Sequence, residues 1–173
     1  MAYTFDLDAE VPTVPFVDAL RTEIVEFALG YDIERNVAVV MSVMLYPGGT
    51  YLRGVAGAFD LRFGVRERDL DHAWKLTPPD YEREANDRFI PAAHRPEVKE
   101  RLYEAIEVLL AHSKAVHVTM QSYYSWLPEK AMWKYSCISM IIMSLGFTLQ
   151  EAFRDETTGK NYWLFTRKGL EDV

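Results

Sequence analysis

The chain is poor in the features that usually announce a function. It has one cysteine, Cys137, in 173 residues. A single thiol excludes an internal disulfide and a cysteine-built zinc cage, and a methionine-containing chain with no cysteine framework suits a reducing cytoplasm. No apolar run approaches the ~20 residues of a membrane helix; the longest, Cys137 to Leu145, is far too short. The first residues, Met1 to Asp8, lack the basic and apolar regions of a signal peptide. There is no Gly-rich phosphate loop, no nucleophile elbow and no H-E-x-x-H. No Lys/Arg cluster offsets the net charge of −7, which argues against nucleic-acid binding. The acids are mixed with Arg and Lys throughout, which also argues against mimicry of DNA.

What is present fits one globular domain over 1–173. At this length folding buries about two-thirds of the unfolded chain's surface, so no metal or disulfide is needed for stability. Thr4 to Leu7 reads as a short strand. Val17, Leu20, Ile24, Phe27 and Ala28 recur at helical spacing after Pro15, with Gly30 as a stop, which predicts a helix over 15–29. Val37, Val39, Val40 and Val43 predict a strand over 36–46 covered on both faces; a buried helix beginning after Asp32 is the alternative. Tyr46-Pro47-Gly48-Gly49 is a turn signal, and alternation through Val55–Val65 makes a hairpin of 36–46 with 50–65. A charged, proline-containing connector over 66–95 follows, with short helices expected near 67–75 and 80–88.

Pro96 opens a second helix, whose stripe of Val98, Leu102, Ala105, Ile106 and Leu109 ends near His112. Residues 115–123 alternate as a strand. Pro128 starts a third helix that runs to Leu145, with Gly146 as its stop. Phe147–Arg154 and Asn161–Arg167 close the chain as a hairpin. The order β-α-β-β-(α)-α-β-α-β-β predicts an α+β fold, a mixed or mostly antiparallel sheet with helices packed on it.

Three features could carry function. Tyr123, Tyr124 and Trp126, with Trp133 beyond them, could line a pocket or anchor a partner, or could equally fill the core. The helix 128–145 is apolar nearly all round, with only a thin polar edge of Lys134, Ser136, Ser139 and Ser144, so a sheet alone would leave part of it uncovered. That face, with Ile141 at its centre, predicts self-association as a homodimer, or a protein partner. His117, Thr119, Gln121 and Tyr123 share one strand face and could orient a small ligand if another layer covers them. No histidine lies at short helical spacing from Cys137, and the histidines form no metal pattern.

The run of helix, strand, helix ending in Leu145-Gly146-Phe147, and hairpin ending in Tyr162-Trp163-Leu164-Phe165 is similar to the end of a GNAT-type acyltransferase and to the end of many class I methyltransferases. The resemblance covers residues 96–167. It implies a small-molecule transferase with a cleft beside strand 115–123, in which His117, Tyr124 and His94 are the polar groups at hand. The acyltransferase glycines that hold the CoA pyrophosphate are replaced here by Ala93-His94-Arg95-Pro96-Glu97-Val98-Lys99, so the resemblance assigns no catalytic residue and no cofactor. The leading expectation is thus a non-enzymatic interaction module acting through the helix 128–145. A transferase is the alternative, and an acidic inhibitor from a mobile element is a third reading on size and charge.

Overall fold

The computed structural model describes residues 3–7, 15–48, 55, 57–71 and 87–169. The fold is α+β. One mixed sheet of eight strands comprises β1 (Tyr3–Phe5), β2 (Phe16–Val17), β3 (Glu23–Asp32), β4 (Val37–Pro47), β5 (Ala58–Asp69), β6 (His117–Gln121), β7 (Phe147–Arg154) and β8 (Asn161–Arg167). Two long helices, α1 (Arg95–His112) and α2 (Glu129–Ser144), pack on it. The spatial order is β1-β3-β4-β5-β6-β8-β7, with β2 also paired to β3. Pairing is antiparallel except between β5 and β6. Among the described residues no helix is long and apolar enough to cross a membrane.

The two helices lie where their sequence signals put them. Pro96 sits in the first turn of α1, and Val98, Leu102, Ala105, Ile106 and Leu109 are buried together with Leu110. Pro128, in extended conformation, precedes α2, and Gly146 takes a φ of 88° to end it. The closing hairpin also has its expected bounds. Val37–Pro47 is a strand, as its β-branched residues predict, and pairs with β5 from Val37↔Asp69 to Pro47↔Phe59. β5 therefore continues through 67–69, where a short helix is expected. Most of the 80–88 helix, with residues 50–54, lies outside the described residues.

The helix expected over 15–29 is not there. Its place is taken by β2 and β3, so the element order begins with strands alone. Ile24, Val25, Glu26, Phe27, Ala28 and Leu29 are all buried. A strand covered on both faces has no alternation to reveal it, and a continuous apolar run then satisfies a helical template as well. Gly30 does not end a helix. A Cβ there would meet the Thr4 carbonyl oxygen at 2.1 Å, so its missing side chain lets β1 close on β3 beside the bulge between Ala28 and Gly30.

Each sheet face has its own chemistry. Val25, Phe27, Leu29, Val39, Met41, Val43, Leu61, Phe63 and Val65 join Ile106, Leu109, Ile138 and Ile142 in the main core. The opposite face buries polar groups. Glu26 Oε1 accepts from Ser42 Oγ at 2.7 Å and lies 3.0 Å from Arg66 Nε, while its other oxygen is 2.7 Å from Arg68 Nη1. Thr119 donates to Asp60 Oδ1 at 3.1 Å.

Candidate functional site

β5 and β6 are the sheet's one parallel pair among the described residues, and they stay together only briefly. The register runs from Ala58↔His117 to Leu61↔Met120. β5 then continues to Asp69 along β4, whereas β6 ends at Gln121 and the chain turns away. Two parallel strands that part at their carboxyl ends leave a crevice between them. The Phe63 N–H opens into that gap and donates to Tyr123 Oη at 2.7 Å.

A cleft of about 320 Å³ occupies the gap, at the lower end of the ligand-pocket range. Met41, Phe63 and Gly64 form its sheet wall, Val98 and Leu102 of α1 line one flank, and Tyr135 of α2 lines the other. Tyr123 and Tyr124 come from the turn after β6, and Asp87, Arg95 and Lys99 lie at its exposed rim. Arg95 is paired with Asp87 at 2.7 Å. The tyrosines brace one another. Tyr123 meets Phe63 edge to face at 5.5 Å between centroids, and the Tyr123 N–H donates to Tyr135 Oη at 3.3 Å. Tyr135 stacks on Trp163 at 5.3 Å, and burial pushes its hydroxyl up to about 12.

Lys134 is the singular group in the cleft. Its Nζ stands 4.9 Å from the ring centroids of both Phe63 and Tyr135. Loss of water around it brings the ammonium down to about 8, the direction burial imposes on a cation. Its sequence signal was a lysine on the thin polar edge of a nearly all-apolar helix, which reads as solvent-facing until the facing strands are known. Arg95, Lys99 and Phe63 carried no such signal, because the cleft joins segments far apart in the chain.

The residues singled out in the sequence divide between places. Tyr123 and Tyr124 line the cleft. Trp126 does not. Its φ of 52° is left-handed, its N–H donates to the Gly159 carbonyl at 2.8 Å, and its ring fills the space where a Cβ on Gly159 would sit. Trp126 thereby pins the 123–127 turn to the closing hairpin. His117 Nδ1 lies 2.9 Å from Thr166 Oγ1 and Thr119 bonds Asp60, so these two members of the expected polar row are held by neighbouring strands, whereas Tyr123 lies beyond the end of β6 and accepts from Phe63 N–H instead. His94 packs its ring on Phe5 at 4.6 Å. Trp133 stands out from α2, whereas Ile141 is partly buried against the core. No group of three or more His, Cys, Asp or Glu among the described residues could hold a metal ion.

The geometry defines an α+β protein with a ligand-sized, cation-lined cleft at the parting of its two parallel strands. No protein-family model, curated protein or solved structure gives a significant match to the chain.

Proposed function

We propose that the protein binds a small organic anion with an apolar or flat body in this cleft, as a cytoplasmic small-molecule transferase would. The observation that carries the reading is the lining, which among the described residues sets Arg95, Lys99 and Lys134 against one acid, Asp87, around an otherwise apolar and tyrosine-rich cavity in a chain of net charge −7. Local positive charge in an acidic protein draws and orients an anion that the rest of the surface repels, and aromatic walls take the ligand's apolar part. The position at the carboxyl end of β6 agrees with the transferase resemblance, and the absence of the acyltransferase glycines leaves the choice between acyl-CoA and smaller anions to experiment. In a thermal-shift panel of these ligands, one present at 100 times its Kd should stabilise the fold by about 2.7 kcal/mol. Lys99→Glu should weaken that response. A flat response to every anionic ligand defeats the reading.

A second reading is favoured by α2. Trp133, Met140 and Met143 are 64%, 58% and 47% exposed, and their spacing puts them on one stripe of the helix. We infer that this stripe meets a second copy of the chain, since large apolar side chains gathered on one face mark an interaction surface.

A further inference from the structure

The cations around the cleft are not alike. Arg95 has Asp87 at 2.7 Å, and Arg62, Arg66 and Arg68 elsewhere each have a carboxylate. Lys134 has ring faces instead, with Phe63 and Tyr135 each 4.9 Å from its Nζ, and no carboxylate or carbonyl bonds it among the described residues. The ring faces attract an ammonium, while the loss of water around Lys134 works against its charge. That loss of water favours the free amine, the form that attacks carbonyl carbon. With its ammonium brought down to about 8, roughly a tenth of Lys134 is free amine at neutral pH, a few hundred-fold more than for an ordinary exposed lysine. Arg95 and Lys99, on the rim, already supply charge for an anionic group.

We propose that Lys134 is an imine-forming residue, and that the cleft takes a small anionic aldehyde or ketone whose acid group meets Arg95 and Lys99 while its carbonyl carbon reaches Lys134 Nζ. The proposal rests on the anion-binding reading above and adds the reactive group of the ligand. The amine lone pair forms the C–N bond as the carbonyl π pair moves to oxygen. A proton then passes from nitrogen to that oxygen, giving a carbinolamine. The C–O bond breaks, the hydroxyl leaves with the second amine proton as water, and the nitrogen lone pair closes the C=N bond. Carbonyl and amine thus give imine and water, with no oxidant or reductant consumed. The apolar walls favour the dehydrated product by keeping bulk water from the nitrogen.

The test uses the full chain with two probes that share a phosphate and a flat ring, pyridoxal 5′-phosphate, an aldehyde, and pyridoxine 5′-phosphate, its alcohol. Borohydride reduction followed by peptide mass mapping should find the aldehyde probe on Lys134, at least about ten-fold above the exposed Lys99, Lys114 and Lys168 at equal dose. Lys134→Arg, which keeps the positive charge, should lose the adduct; should the arginine not be accommodated, loss of the adduct in Lys134→Met is read beside the wild-type thermal shift from pyridoxine 5′-phosphate. A thermal shift from the alcohol probe with no adduct on Lys134, or an adduct spread evenly over the exposed lysines, overturns the imine proposal and leaves anion binding standing. No shift from the alcohol probe and no adduct on Lys134 overturns both.

Discussion

Glu26 shows how much one buried charge can carry. It is wholly enclosed, and its two oxygens serve Ser42, Arg66 and Arg68. Glu26→Gln keeps the shape and removes the buried charge that faces the Arg66 and Arg68 guanidinium groups. A loss of about 3–5 kcal/mol is expected in urea unfolding, the usual consequence of breaking a buried ion pair on one side. Glu67→Gln is the matched control. Its pair with Arg35 is equally short at 2.7 Å but solvent-exposed, so its loss should cost less than about 1 kcal/mol. Gly30 makes a different residue-scale demand. Gly30→Ala puts a methyl into the Thr4 carbonyl and requires an alanine at a φ of 147°, so a loss of more than about 1 kcal/mol is expected, together with faster amide exchange at Tyr3–Phe5.

At the scale of elements, Lys134 gives α2 a pH dependence whose sign follows from its surroundings. The folded chain releases this proton near pH 8, whereas the unfolded chain holds it to about 10.4. Between those values the unfolded state binds more protons, so this group adds stability as pH rises, and its burial penalty is full only below about pH 8. Lys134→Met should therefore raise the melting temperature at pH 7 and lose most of that advantage by about pH 9.5. Tyr3 and Tyr135, both raised to about 12, oppose the trend only above about pH 10, outside the range to be measured. The elements themselves were unevenly legible. α1, α2 and the closing hairpin carry their own punctuation in Pro96, Pro128 and Gly146, so local chemistry located them. β3 carries none, because both its faces are covered and its glycine answers to β1 rather than to its own neighbours in sequence. The cleft was half legible. Tyr123 and Tyr124 stood out as clustered aromatics, but the parting of β5 from β6 depends on a register that joins residues about 60 positions apart.

Across the whole molecule, a helix apolar nearly all round has more greasy surface than one sheet can cover, and the structure divides that surface in two. Tyr135, Ile138 and Ile142 are buried, and Met132, Ile141 and Leu145 pack against the same core. Trp133, Met140 and Met143 face outward, beside β7, which ends the sheet and exposes Leu149 and Phe153. The edge itself carries Glu151 and Arg154, charges of the kind that discourage strand-to-strand addition, so the helix stripe rather than the strand edge is the surface left for a second copy. Two substitutions separate packing within the chain from packing between chains. Ile138→Ala should cost about 2–5 kcal/mol of stability. Met140→Glu replaces a side chain already in solvent, so stability should stay within about 0.5 kcal/mol while a concentration-dependent dimer seen by light scattering dissociates. Ile141→Glu would not make this distinction, because Ile141 is tied to the core. A wild-type chain that stays monomeric at millimolar concentration, or a dimer indifferent to Met140→Glu, removes the association reading and leaves the cleft as the functional surface.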